Sequence, residues 1–146
     1  MVELRETRIQ TRQRVQPDDT NNYGSAHGGM VMLWMDEAAA MSAIRFTGEW
    51  CVTAHVDGID FRAPVPSGDT LYLDAYVYDA GRTSCKVRLR AYHEDPKTGS
   101  RTETTDSTFV FVAVDDNREP MPVTTLECSS EESEQLRAEA FAAFEE

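Results

Sequence analysis

The chain has 146 residues, enough for one domain with a buried core, and a hydrophobic fraction of 40% excludes a disordered protein. Its formal net charge of −12 excludes a general nucleic-acid binder, which needs a basic surface to replace phosphate counterions. Most of the 14 basic residues are arginines, and an acidic surface poor in lysine predicts a halophilic protein that works in concentrated salt.

The sequence predicts no targeting or membrane-spanning segment. The first eight residues alternate in charge and lack the apolar stretch of a secretory leader. The longest apolar run, residues 30–35, falls short of the ~20 residues of a membrane-spanning helix. Three cysteines without clustered spacing predict neither a disulfide framework nor a zinc site. We therefore expect a cytoplasmic protein that contacts no membrane and holds no metal.

The first predicted element is a strand over residues 3–15, where apolar residues recur on one face. Turn-forming residues fill positions 17–24. Residues 28–46 then predict a helix that is apolar on nearly all sides, a pattern typical of a helix enclosed by protein. Gly48 is a suitable residue to end it.

Four predicted strands follow without another long helix, and consecutive strands of this kind form antiparallel hairpins. They cover residues 51–61, 71–78, 83–92 and a segment that ends at Val114. The last of them is apolar on both faces and is therefore expected inside the sheet.

A final helix is predicted from Ser129, where Glu132 completes a capping box. The chain is thus divided into an α+β domain of residues 1–128 and a C-terminal helix of residues 129–146, which packs on that domain or on a partner subunit. Because a sheet of about five strands leaves open edges, we expect a second copy to pair with one of them.

Asp36 lies in the middle of the predicted apolar helix, where an ionised carboxylate is costly unless it is paired or hydrogen-bonded. A catalytic task and a structural hydrogen bond are the two explanations we consider. Gly28 and Gly29 stand where the helix begins, so their amides could stabilise an oxyanion, or the glycines could simply permit a tight entry.

The spacing of these residues predicts a site shared between subunits. Gly28 and Asp36 are separated by about 12 Å along a helix, at 1.5 Å per residue. One reacting carbonyl cannot contact both residues at about 3 Å. Two antiparallel copies of the helix could supply one residue each.

Basic residues could hold phosphate groups or could pair with neighbouring carboxylates on a solvated strand. Arg82, Lys86, Arg88 and Arg90 share one side of a predicted strand and its turn, and Arg62 ends another strand. His27 is far from the other histidines in sequence, so an ordinary loop histidine is preferred to a metal ligand or catalytic base.

Three blocks of the sequence carry a family resemblance over about residues 4–115. They are Asp19-Thr20-Asn21-x-x-Gly24-x-x-His27-Gly28-Gly29 before Met35-Asp36-Glu37, Val52-Thr53-Ala54-x-Val56-Asp57-x-Ile59-x-Phe61, and Gly68-Asp69 with Gly81-Arg82-Thr83-Ser84. With these blocks the chain resembles the hotdog-fold acyl-CoA thioesterases, in the branch of the brain-type acyl-CoA hydrolases.

The resemblance implies a hotdog fold, in which a curled antiparallel sheet of about five strands wraps a long central helix. It implies dimers that assemble into tetramers or hexamers, and hydrolysis of acyl-CoA without a metal or organic cofactor. Asp36 would be the general base or the nucleophile, and Asn21 of the other protomer would orient the water or the thioester. The Gly28 and Gly29 amides would polarise the carbonyl.

The resemblance also places Arg82, Thr83 and Ser84 near the CoA nucleotide, and makes Arg62 and His27 looser candidates for substrate binding. Two alternatives stay open. An enoyl-thioester hydratase or dehydratase would usually need a histidine paired with a carboxylate in a His-Phe-Pro-Gly or Asp-x-x-x-x-His setting, and neither occurs here. A non-catalytic acyl-CoA-binding module would bind CoA without turnover.

Overall fold

A computed structural model describes residues 1–145, which form seven strands and two helices. In chain order these are β1 (Val2–Glu3), β2 (Ile9–Arg14), α1 (Gly28–Thr47), β3 (Cys51–Asp57), β4 (Thr70–Ala80), β5 (Ser84–Glu94), β6 (Arg101–Ala113), β7 (Leu126–Glu127) and α2 (Glu131–Phe144). Short 3-10 turns at Leu4–Thr7 and Pro17–Asp19 precede α1.

Five of the strands form one antiparallel sheet in the order β2-β4-β5-β6-β3. Helix α1 contacts all five strands, so the sheet curves around it. Successive side chains along each strand point to opposite faces of the sheet, and those on the inner face supply apolar groups to the core beneath α1. The predicted α+β architecture is confirmed, as is the interior position of β6, which lies between β5 and β3.

Only one side of α1 is covered by the sheet. Its buried residues recur every three or four positions, from Val31 to Phe46, as expected for one face of a helix. On other sides Met32, Leu33 and Met41 are 45%, 49% and 45% exposed. The prediction that α1 is enclosed on nearly all sides is therefore wrong for the single chain, because one sheet can cover only one face.

Helix α1 ends as predicted at Gly48. This glycine adopts a left-handed conformation with φ of 71°, which disfavours residues with a side chain. Its N–H donates to the carbonyl of Ile44 at 2.8 Å and closes the last turn.

Several boundaries differ from the sequence prediction, and the strand predicted over residues 51–61 ends at Asp57. The first predicted strand is divided, because residues 4–7 form a 3-10 turn in which the Thr7 hydroxyl donates to the carbonyl of Leu4 and accepts from the Val77 N–H. The C-terminal helix is capped by Ser130 and not by Ser129, since the Ser130 side chain accepts from the N–H of Ser133.

Helix α2 packs on the outer face of the sheet, away from α1. Leu136 and Ala140 are buried there, and the Tyr76 hydroxyl donates to the carbonyl of Leu136 at 2.7 Å. Glu146, the last residue of the predicted C-terminal helix, lies outside the described residues. Neither α1 nor α2 has both the length and the apolar character that a membrane-crossing helix requires, as judged over residues 1–145.

Glu3 joins the two ends of the chain. Strand β1 pairs in parallel with β7, which brings the buried Glu3 carboxylate to the start of α2. There it accepts hydrogen bonds from the N–H and hydroxyl of Ser129 and from the hydroxyls of Ser130 and Ser133. These donors lower the pKa of Glu3 to about 2.

Candidate functional site

Asp36 lies on the flank of α1 that faces the edge strand β3. Its Oδ1 accepts a hydrogen bond from the Thr53 hydroxyl at 2.6 Å, a length typical of a hydroxyl bound to a carboxylate. Asp36 is half-buried and Thr53 is exposed. The expected apolar enclosure of Asp36 is therefore not present in the single chain, and the carboxylate is accessible from the exposed side of α1.

The Asn21 side chain is fixed by its own loop. Its Oδ1 accepts from the backbone N–H of Tyr23 at 2.9 Å and of Ser25 at 3.3 Å, a turn that asparagine favours. Two backbone donors on one oxygen also settle which end of the amide carries the nitrogen. The Nδ2 group has no hydrogen-bond partner among residues 1–145, so Asn21 offers a donor to the cleft that it lines.

This cleft, of about 340 Å³, lies at the start of α1. Gly28 shares its wall with Asn21, and Phe61, Val31 and Val65 make most of that wall apolar. A side chain at Gly28 would put its Cβ 3.4 Å from the Phe61 ring, so the glycine keeps the backbone within reach of a ligand in the cleft.

The first turn of α1 presents unsatisfied N–H groups. Across residues 1–145 no side chain caps this turn, and the first amide with a helical partner is that of Val31, which donates to the carbonyl of His27 at 3.0 Å. The amides of Gly28 and Gly29 are therefore available at the positive end of the helix dipole. His27 itself is exposed and is held through its backbone N–H, which donates to the carbonyl of Asp19 at 2.8 Å.

A single chain does not unite the predicted catalytic residues. Asn21 and Gly28 line the cleft, whereas Asp36 and Gly29 are not part of its lining. Asp36 is instead two helical turns along α1, about 12 Å from Gly28 at 1.5 Å per residue. The donors and the carboxylate thus form two separate half-sites.

The predicted CoA contacts are also divided between two places. Arg62 lines the cleft, is 56% exposed, and lies 3.8 Å from a Glu103 carboxylate oxygen. Its backbone N–H donates to the carbonyl of Thr104, near the start of β6. Ser84 pairs instead with Val112, which is about 26 Å further along β6 at ~3.3 Å per residue.

Arg82 and Thr83 lie in the turn between β4 and β5, and Ser84 begins β5. The end of β6 and the segment after it hold this turn, because Ala113 donates to the carbonyl of Thr83 at 3.1 Å and Val123 donates to that of Arg82 at 2.9 Å. The Arg82 side chain is exposed and forms no ion pair with another residue in the range 1–145. It is therefore a cation that a ligand can reach.

Thr53 was not assigned a role from the sequence. In the sequence it is one β-branched residue among others of a predicted strand, and its link to Asp36 arises from the packing of β3 beside α1. No group of three or more His, Cys, Asp or Glu side chains within the described part of the chain is arranged to hold a metal ion.

Comparison with known proteins adds a family to this geometry. A family model described as the thioesterase superfamily matches residues 23–100, which is more than half of the chain. YkhA of Bacillus subtilis, named as an uncharacterized acyl-CoA thioester hydrolase, is 35% identical over 128 residues that cover 88% of this chain and 74% of that protein.

Solved structures agree with the family model. A hexameric acyl-CoA thioesterase superposes with a TM-score of 0.87 at 37% identity, covering 97% of this chain and 90% of that one. An acyl-CoA hydrolase of Staphylococcus aureus, solved with butyryl coenzyme A and coenzyme A, superposes with a TM-score of 0.86 at 29% identity, covering 95% of this chain and 85% of that one. That hydrolase has also been solved with an aspartate, an asparagine or a threonine replaced by alanine. The hotdog fold is confirmed, and the chain belongs to the thioesterase superfamily.

Proposed function

We propose that the protein hydrolyses acyl-CoA to a free carboxylic acid and CoA, at sites that two copies of the chain build together. The observation that carries this proposal is the pair of half-sites, a carboxylate held by Thr53 and a cleft with hydrogen-bond donors from Asn21 and Gly28. The names of the relatives and solved structures, as thioester hydrolases, support the same activity.

Asp36 supplies the reactive carboxylate in this proposal. As a general base it takes a proton from water while the water oxygen attacks the thioester carbon, and the C–S bond then breaks to release CoA. As a nucleophile it attacks that carbon directly, the C–S bond breaks to release the CoA thiolate, and water later hydrolyses the acyl-enzyme anhydride. The Thr53 hydroxyl restricts the carboxylate to one orientation in either route.

Asn21 acts as a donor to the carbonyl in this proposal. Because its Oδ1 is occupied by two backbone N–H groups, only Nδ2 can contact a ligand. Asn21 and Gly28 line one cleft, and Nδ2 and the Gly28 amide would both donate to the thioester oxygen as negative charge develops on it. Donors of this kind cannot accept a proton from water, so the orientation of a water hydrogen falls to Asp36.

The exposed edge of β3 is the proposed meeting point of two copies. Trp50 and Val52 are 73% and 44% exposed beside this edge, and the exposed Met32 and Leu33 of α1 continue the apolar surface around Asp36. Antiparallel pairing of β3 with its copy would bring the Cys51 end of one strand to the Asp57 end of the other. The donors of one subunit would then approach the carboxylate of its partner.

The same pairing accounts for the divided CoA contacts. Ser84 lies level with the beginning of β3 through Val112, whereas Arg62 follows the end of β3. In an antiparallel dimer the turn with Arg82 and Thr83 therefore approaches the cleft and Arg62 of the other subunit. We propose that this combined basic surface binds the CoA phosphates.

Residue spacing in the Staphylococcus aureus hydrolase supports the choice of residues. The aspartate and asparagine replaced there are separated by as many residues as Asp36 and Asn21 are here. The replaced threonine follows that aspartate at the interval at which Thr53 follows Asp36.

Two matched substitutions test the activity, with release of free CoA thiol as the measurement. Asp36→Asn keeps the shape of the side chain and removes its charge, and we expect hydrolysis to be lost. Asn21→Asp keeps the oxygen that accepts from the loop but replaces the Nδ2 donor, and we expect a decrease of about a hundredfold, as for the loss of an oxyanion donor. Near-normal turnover of Asp36→Asn would contradict the proposal.

Mixing the two inactive variants tests the shared site. Random reassociation of subunits gives mixed dimers in which one site carries both substitutions and the other carries neither. We expect the mixture to recover roughly a quarter of the wild-type rate if Asp36 and Asn21 come from different subunits. A mixture as inactive as its components would place both residues in one subunit.

The proposal also covers the oligomeric state of the protein and the conditions in which it works. We propose that the dimers assemble further into tetramers or hexamers, as in the hexameric structural relative, and that the protein works in the cytoplasm without a metal or organic cofactor. The acidic, lysine-poor composition supports a concentrated-salt environment, where repulsion between the protein and CoA is screened. A KM for acyl-CoA that does not fall as salt is raised would contradict this last point.

A further inference from the structure

A second cleft, of about 380 Å³, lies between α1 and β2. Strands β2 and β3 are opposite edges of the sheet, so this cleft is on the flank of α1 away from Thr53. Its apolar lining comes from Trp34, Ala38, Met41 and Leu73, and its polar rim from Thr11, Arg12, Gln13 and Glu37.

The charges at the rim do not suit a phosphate group. The Arg12 guanidinium already donates to the Glu94 carboxylate at 2.7 Å, and Glu37 adds a negative charge on the opposite wall. An uncharged apolar ligand would instead gain from contact with the lining of Trp34 and Met41.

Ala40 connects this cleft to Asp36. It is four residues after Asp36, so the two side chains lie one above the other on the same face of α1, and Ala40 also lines the cleft. Met41, one position further, is displaced from Asp36 by about 12 Å around a helix of ~10 Å diameter. Because the Ala40 side chain is small, it does not obstruct a ligand that lies on the surface of α1 between Asp36 and the cleft.

We propose that the cleft binds the far end of a long acyl chain whose thioester reacts at Asp36. The inference rests on the acyl-CoA hydrolase function proposed above and adds its substrate class. Acetyl and butyryl groups are too short to follow the path over Ala40, whereas a palmitoyl group is long enough to extend into the cleft. Met41 is then a residue that determines chain-length specificity.

Substitution of Met41 tests this role with little risk to the fold, because its side chain is 45% exposed. Met41→Trp fills the cleft, and Met41→Leu keeps its volume and serves as the matched control. For Met41→Trp we expect kcat/KM with palmitoyl-CoA to fall about tenfold, which corresponds to the lost burial of about two methylene groups. Butyryl-CoA hydrolysis should stay within about twofold of wild type, and Met41→Leu should resemble wild type with both substrates.

Each other outcome overturns the inference. If Met41→Trp lowers palmitoyl-CoA and butyryl-CoA hydrolysis equally, the substitution disturbs the site in general. If palmitoyl-CoA hydrolysis is unchanged, the acyl chain does not bind in the cleft. A wild-type protein that hydrolyses only short acyl-CoA would also refute it while the proposed function stands. A wild-type protein that hydrolyses no acyl-CoA of any length would refute the proposed function itself.

Discussion

Replacement of Thr53 by valine should show how much the orientation of the Asp36 carboxylate contributes to hydrolysis, because the carboxylate itself is kept. Valine keeps the β-branched shape that suits a strand and removes the hydroxyl that donates to Asp36 at 2.6 Å. A hydrogen bond to a charged group contributes about 1.5–3 kcal/mol, and tenfold in rate corresponds to about 1.4 kcal/mol. Because Asp36 is half-buried and water can replace part of the contact, we expect the lower end, a decrease in kcat/KM of about ten- to thirtyfold.

The assay is release of free thiol from acyl-CoA by Thr53→Val, with Thr53→Ser as the control. Serine restores a hydroxyl at the same position, so Thr53→Ser should recover most of the lost rate. The loss should appear mainly in kcat, because a misoriented carboxylate weakens the transition state more than substrate binding. If Thr53→Val retains more than about half of the wild-type kcat/KM, the hydrogen bond does not position Asp36 for catalysis.

Three further predictions follow from single features. Gly29→Ala should raise the melting temperature, since its Cβ would meet no atom within 4 Å and alanine stabilises a helix by up to about 1 kcal/mol. The same substitution should lower the rate of hydrolysis, because the methyl group crowds the exposed amide. An unchanged rate would show that Gly29 is not part of the site. Glu3→Gln should lower the melting temperature at neutral pH, because ionised Glu3 stabilises the fold above its ordinary pKa of 4.5 and loses that effect as the pH falls toward its folded pKa of about 2. The difference between Glu3→Gln and wild type should therefore shrink in acid, and a constant difference would show that its charge is not responsible. Dialysis against EDTA should leave thiol release unchanged, and restoration of a lost rate by added divalent metal would contradict the metal-free mechanism.

The sequence singles out Asp36 as a candidate but does not show the group that contacts it. A charged residue within an apolar helical run can be recognised from the sequence, because the period of a helix determines which residues of the same helix lie next to it. Thr53 is in another element, and only the packing of β3 against α1 brings it within 2.6 Å. A strand pattern shows which face a residue occupies and does not show which helix residue lies beside it.

The donor orientation of Asn21 was similarly beyond the sequence. Its position in a turn-forming segment was predictable from residue type, whereas the commitment of Oδ1 to Tyr23 and Ser25 depends on the turn that the loop adopts. The start of α2 illustrates a smaller uncertainty. Ser129 and Ser130 are both good caps by residue type, and the choice between them is made by Glu3, which accepts from the N–H of Ser129.

The pairing of β1 with β7 has a consequence for the order of folding during synthesis. Val2 and Glu3 are synthesised more than a hundred residues before their partners Leu126 and Glu127. The Glu3 carboxylate therefore lacks its hydrogen-bond donors until the segment with Ser133 has emerged from the ribosome. A translation product that stops before this segment contains all five strands of the main sheet and still lacks the contacts that hold Glu3 in place. Attachment of α2 to Glu3 therefore follows synthesis of the whole main sheet.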